Sequence, residues 1–226
     1  MDLYRYISFE SFVDLVIGSQ LTFVSPLHKW DDKCEGFLYQ ALKSHNGKNL
    51  VEEIANRFNK TPMIAEKSIT YHCDKVRCQC WSEERDSVAM WSIYSHNDKA
   101  VMISADSDSF KKLGVILSKI QYSDKIELEE EIERCLNEKV IKPKQIFTVK
   151  RKAFEHEKEH RAFVRDIKNC NGTEDKKVDI DDLGSFIKGV LVHPKARRWY
   201  VSTVELFCKE YGLNFEGQSK IYDFSI

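Results

Sequence analysis

The chain has 226 residues, 42% of them hydrophobic, with thirteen Phe, nine Tyr and four Trp, which is enough for one sizeable core and one large domain spanning 1-226. Thirty-five basic residues against thirty-six acidic ones leave a formal charge of −1, so no global field draws the chain to DNA or a membrane, although a local basic patch is compatible with that balance. No run approaches ~20 apolar residues, Met1-Asp2-Leu3-Tyr4-Arg5 lacks a signal-peptide core, and the seven cysteines are odd in number and irregularly spaced, so the expectation is a cytoplasmic protein with reduced thiols and no membrane partner.

In chain order, Leu3 to Ile7 reads as a strand and Ser8 as a helix N-cap. Phe9, Phe12, Val13, Val16 and Ile17 then form one apolar stripe at helical spacing, closed by Gly18 as the left-handed residue beyond the helix. Leu21 to Val24 is a second strand, stopped by Ser25-Pro26 and followed by a polar loop from His28 to Gly36. Leu50, Ile54 and Phe58 mark a helix ending before Thr61-Pro62, and Val76 to Ser82 is extended. Val88, Trp91 and Tyr94 suggest a short helix, with strands at Ala100 to Ser104 and Gly114 to Gln121. Ser123 to Val140 reads as a helix with an acidic outer face, Arg161 to Asp166 as a strand and Asn169 to Asp175 as a loop. Lys188 to Val192 is a strand, Ser202 to Tyr211 a helix and Gln218 to Phe224 a last strand. Without a βαβ cadence, the pattern is α+β in a single domain.

His156-Glu157-Lys158-Glu159-His160 matches the zinc-protease pattern literally. That chemistry needs a buried helix presenting both histidines one turn apart. Lys150-Arg151-Lys152 before the segment and a strand-like Ala162-Phe163-Val164 after it argue against one, so no metal is expected. His72, Cys73, Cys78 and Cys80 lack the paired Cys-x-x-Cys spacing of structural zinc, and no Gly-rich phosphate loop or Gly-x-Ser-x-Gly elbow occurs. What stands out is polar groups on or beside strands. Arg5 lies between Tyr4 and Tyr6, Ser82 ends a strand after Cys80-Trp81, and Glu157 and Glu159 stand two apart, able to project to one face.

These residues, with Leu3-Tyr4-Arg5-Tyr6, Leu21 to Pro26, Trp30 to Gly36, Cys80-Trp81-Ser82, Met90 to Ser95 and Glu157 to Arg161, make the chain resemble the bacterial family catalogued as domain of unknown function 2971. Asp31-Asp32-Lys33 stands where that family has Asn-Asp-Pro, and His160 where it has an aromatic residue. More distantly, Arg5 on the first strand, Ser82 at a strand end and Glu157-x-Glu159 before a later strand are similar in order to ADP-ribosyltransferases.

That resemblance implies a split mixed or antiparallel sheet with flanking helices, and NAD as substrate. It implies that Arg5 holds the NAD phosphate or ribose, and that Ser82 orients the nicotinamide ribose or the acid. Glu159 would stabilise the oxocarbenium charge, Glu157 would position or deprotonate the acceptor, and Tyr6, Trp91 or Tyr94 would stack on nicotinamide. The expected activity is transfer of ADP-ribose to a protein or nucleic-acid acceptor, of toxin or phage-defence type. The rivals are a non-catalytic nucleotide- or partner-binding module and a zinc-dependent hydrolase centred on His156 and His160.

Overall fold

The computed structural model describes residues 1–30, 47–95, 97–124, 130, 147–165 and 174–223. Most of the helix expected over Ser123 to Val140, the polar loop beyond Trp30 and most of the Asn169 loop lie outside the described residues, and Ser123 itself ends a strand.

Strand β1 (Asp2–Ser8) leads into helix α1 (Phe9–Gly18), where the Ser8 Oγ accepts the Ser11 amide as the sequence anticipates. The left-handed residue at the end of α1 is Ser19, with φ 47°, and not Gly18, which completes the helix. The Val16 and Leu15 carbonyls are met by the Ser19 amide, so the turn closes one residue later than glycine placement suggests. Strand β2 (Gln20–Phe23) and the short turn α2 (Pro26–Lys29) follow. Helices α3 (Gly47–Arg57) and α4 (Pro62–Asp74) come next. Pro62 opens α4 behind the Thr61 cap, so a signal taken as the end of one helix also starts the next.

The chain continues through β3 (Val76–Ser82), α5 (Val88–Tyr94), β4 (Ala100–Asp106), α6 (Ser107–Lys112), β5 (Ile116–Lys119) and β6 (Gln121–Ser123). After β7 (Val149–Arg151), a 3₁₀ turn (Lys152–Glu157) runs into β8 (Glu159–Arg165), followed by β9 (Lys176–Asp179) and α7 (Leu183–Phe186). β10 (Gly189–Val192), α8 (Arg198–Glu210) and β11 (Phe215–Gln218) complete the described fold. The last helix begins four residues before Ser202, and the last strand precedes the expected Gln218-to-Phe224 stretch.

Seven strands form one sheet in the order β11-β10-β4-β1-β3-β8-β5, antiparallel except for the β10–β11 pair, which makes it mixed, with helices on its flanks. The seam between β1 and β3 is the unusual one. β1 pairs with β4 along its whole length, from Asp2↔Asp106 to Ser8↔Ala100, yet meets β3 only at Tyr4↔Ser82. Farther along β3, Cys78 is bridged by Val24, beyond the end of β2. The sheet therefore splits between β1 and β3.

Side-chain alternation decides what each face buries. Leu3 and Ile7 of β1, Trp81 of β3 and Ile103 of β4 join the main core against α1 and α8, with Phe12, Val16, Tyr200 and Val204. On the opposite face there are two smaller clusters. Val76, Cys78 and Phe163 pack under α3 and α4, whereas Tyr6 and Met102 pack with Met90 and Trp91 of α5. The split in the sheet falls between these two clusters.

Candidate functional site

A cavity of about 210 Å³ occupies that split. Its walls include Tyr4, Arg5 and Tyr6 from β1, Cys78 to Ser82 from β3, Tyr94 from α5, Trp30, and Glu157 and Glu159. A second hollow of about 380 Å³ shares Arg5, Thr22, Val24 and Gln79 with the first, so the two form one groove past the Arg5 guanidinium. Six of the seven residues singled out from the sequence, Arg5, Tyr6, Ser82, Tyr94, Glu157 and Glu159, line the first cavity.

The seventh, Trp91, does not. Its ring is 1% exposed, edge-on to Tyr6 at 4.8 Å and to His193 at 5.1 Å, and its N–H donates to Asp86 Oδ1 at 2.8 Å. Of the Val88-Trp91-Tyr94 stripe that identified α5, only Trp91 is buried, beside Met90, where it packs the wall behind Tyr6 and is not available to stack on a ligand. Tyr6 itself is anchored: its hydroxyl donates to the Glu84 carbonyl at 2.9 Å and accepts the Ser87 amide at 3.0 Å. Burial pushes that phenol up to about 12. Tyr94 is more open, and burial followed by the nearby Glu157 raises its hydroxyl above the usual range.

Glu157 and Glu159 are not the solvated acids that their charged surroundings suggest. They are 3% and 2% exposed. Lys150 Nζ donates to Glu157 Oε2 at 2.7 Å and to Glu159 Oε2 at 3.1 Å. Arg161, one strand step beyond Glu159 on the same face, donates from Nε to Oε1 at 2.5 Å and from Nη2 to Oε2 at 3.1 Å. Its Nη1 reaches the Phe147 carbonyl at 2.7 Å and its plane lies 4.3 Å from the Trp30 ring centroid. Burial acts to raise the Glu159 pKa, but Arg161 and then Lys150 outweigh it and hold the carboxyl down at about 2. Two buried anions thus face two buried cations. Both Glu159 oxygens are committed, whereas Glu157 Oε1 makes no hydrogen bond with a described residue.

Ser82 works through the main chain. Its Oγ donates to the Glu157 carbonyl at 2.6 Å and accepts the Glu84 amide at 2.9 Å, tying the end of β3 to the turn that carries Glu157. The Tyr122 hydroxyl accepts the Glu159 amide at 2.7 Å. Left-handed Lys158, with φ 41°, lets both acids face inward from either side of a break between the 3₁₀ turn and β8.

Arg5 is the contrasting group. It sits between Leu3 and Ile7, which are core residues, and no described residue offers it a hydrogen bond or an ion pair. Burial lowers its pKa to about 10, countered only by Cys80 across the split. The side chain is half-buried, and its guanidinium meets no anion among the described residues.

The same segment disposes of the zinc geometry. His156 is exposed on the 3₁₀ turn, while His160 is buried on β8 with Nε2 2.6 Å from Glu83 Oε1, so the two do not share a helix face. No group of three or more metal-ligating side chains occurs among the described residues. No helix among them is long and apolar enough to cross a membrane. Lys150, Arg161, Tyr122 and Gln79 were not singled out from the sequence as site residues. The one available signal was parity, since Glu159 and Arg161 stand two apart on one strand and so share a face.

No family model matches the chain, and no curated protein matches it, so the likeness to the family of unknown function 2971 rests on the quoted motifs alone. Among solved structures, the chain is similar to Thermus sp. 2.9 DarT in complex with ADP-ribosylated ssDNA, at 9% identity and a TM-score of 0.43, over 99% of this chain and 96% of that one. Likeness at that level is too loose to carry a shared fold.

Proposed function

We propose that the groove binds NAD and that the chain transfers ADP-ribose from it to a macromolecular acceptor. The observation that carries this reading is the Arg5 guanidinium, set in the β1–β3 split without an anionic partner among the described residues and facing a wall that holds two carboxylates. A ligand with an anion at one end and a polyhydroxylated ring at the other matches both. Arg5 takes the pyrophosphate through charge-assisted bonds, and the acidic wall takes the ribose. The first cavity has room for a ring and a sugar, and the adjoining hollow for the remainder of a dinucleotide.

Within this reading Glu157 contacts the ribose, because its Oε1 is the carboxylate oxygen without a partner among the described residues. As the C1′–N1 bond breaks, its electron pair leaves with nicotinamide and neutralises the pyridinium, while positive charge develops on the ribose. The Glu157 carboxylate opposes that charge, and the acceptor nucleophile then bonds to C1′ and gives up its proton to solvent. Glu159 acts one step back, holding Arg161 and Lys150 so that Glu157 stays oriented by Lys150. Tyr94 and Tyr4 flank the ring that departs.

The test is nicotinamide release and labelled ADP-ribose transfer in the presence of cell extract. Wild type is expected to release nicotinamide, and Glu157→Gln to do so about two orders of magnitude more slowly. A wild type that neither binds nor consumes NAD ends this reading. The saturation of Glu159 favours a second one, a nucleotide-binding module without turnover, and NAD binding without nicotinamide release selects it.

A further inference from the structure

A different hollow, of about 330 Å³, lies where β4 begins and α8 begins, away from the cavity in the split. Its walls carry three cations, Lys99, Lys195 and Arg197, and one carboxylate, Asp98, which is 3.5 Å from His193 Nδ1. None of the three cations has an ion pair among the described residues. Glu10 approaches from α1 without reaching ion-pair distance of Lys99. For a chain of net charge −1 this is a marked local excess of positive charge.

The placement is also unfavourable without a ligand. Arg197 caps α8, a helix of 13 residues, without a side-chain hydrogen bond to the first turn, and Arg198 follows, with no acid in that turn. Cations at the positive end of a helix dipole repel it, and the free amides there call for an anion. Tyr200 forms the inner wall of the hollow, 2% exposed and packed in the main core, with its hydroxyl buried and without a hydrogen-bond partner among the described residues. Beside it Trp199 stands 55% exposed, with Lys99 Nζ 5.5 Å from its ring centroid. A large aromatic ring held at the surface by a cation, next to clustered unpaired positive charge, is how proteins grip unpaired nucleotides.

We infer that this hollow binds the phosphodiester backbone of a single-stranded nucleic acid, with Lys99, Lys195 and Arg197 on phosphates and Trp199 stacked on a base. The site stands independently of the chemistry in the β1–β3 groove, and its ligand is recognised by phosphate spacing and an open base face. Duplex fits poorly, because its bases are already stacked and cannot reach Trp199.

The experiment is fluorescence anisotropy with labelled twelve-nucleotide single strands of DNA and RNA, a duplex of the same sequence, and heparin as competitor. Titrations run from low to moderate salt. Wild type is expected to bind a single strand at least tenfold more tightly than duplex. Replacing Lys99, Lys195 and Arg197 together by Ala should lower the slope of log affinity against log salt by about two, at roughly 0.7 per phosphate contact. Trp199→Ala should weaken binding about tenfold with the salt slope unchanged, since stacking and not charge is removed. Melting curves on each variant establish that it is folded. No binding by wild type at low salt overturns the proposal. So does duplex binding as tight as single-strand binding, or a Trp199→Ala variant that binds as wild type does.

Discussion

The two ends of the cavity handle charge in opposite ways. On the β8 side, Glu157, Glu159, Lys150 and Arg161 are all buried and paired with one another, through ion pairs of 2.5 to 3.1 Å. On the β1 side, Arg5 is half-buried and receives no hydrogen bond or ion pair from the described residues. Folding can maintain the first arrangement unaided, because opposite charges at contact distance offset much of their desolvation. The second leaves a half-buried cation that no described residue meets, so its partner is solvent or a ligand. Within the cluster Glu159 has both oxygens paired, whereas Arg5 has no described partner. That distinction separates Glu159 from Arg5 although both line the same cavity.

The largest effect should come from breaking the saturated end. Arg161→Met leaves two buried carboxylates with Lys150 alone and orphans the Phe147 carbonyl, and is expected to cost ~3–5 kcal/mol in urea unfolding. A loss below ~1 kcal/mol would show that the cluster does not hold the fold. Acid titration probes the same end more gently. Because the Glu159 pKa is depressed to about 2 from an ordinary 4.5, its contribution is fully present above about 4.5 and fades as pH falls from there through about 2. Glu159→Gln should therefore be less stable than wild type at neutral pH, by an amount that shrinks across that window. A gap that stays constant from pH 6 to pH 2 contradicts the assignment.

Ser82→Ala is expected to cost ~1–3 kcal/mol, since it strands the Glu84 amide and the Glu157 carbonyl in a buried position. Nicotinamide release by that variant should fall along with it, because the turn carrying Glu157 loses its tie to β3. At the open end the expectation reverses. Arg5→Met should change stability by less than ~1 kcal/mol, or raise it, because no described partner is lost. NAD affinity, measured calorimetrically, should fall at least tenfold. An Arg5→Met protein that unfolds readily while keeping its NAD affinity would invert the comparison.

Much of the framework is legible from local pattern. Strand, cap and helix over the first eighteen residues follow from alternation, a hydroxyl at Ser8 and an apolar stripe, and β3 runs from Val76 to Ser82 as read. Helix α4 was illegible because Pro62 carries two meanings, stop and N-terminal residue, and only packing of Ala65 and Cys73 onto the smaller core selects the second. Its weak amphipathic stripe offered no help. Trp91 failed as a ligand contact for a related reason: spacing places a side chain on a helix face but cannot say whether that face meets protein or an opening.

The sequence by itself determined which residues are charged, which alternate onto one strand face and where Arg5, Ser82, Glu157 and Glu159 fall along the chain. Those are consequences of local geometry, with periods of 2 and 3.6 residues. Only the tertiary structure decided that β1 and β3 touch at one residue pair and then part, so that these residues share a cavity. It also decided that Glu159 is spoken for and Arg5 is not. Pairing between charges is settled by strand order, which brings Lys150 and Arg161 to the acids and no described anion to Arg5. Strand order depends on contacts between residues far apart in the chain, to which no local pattern is sensitive.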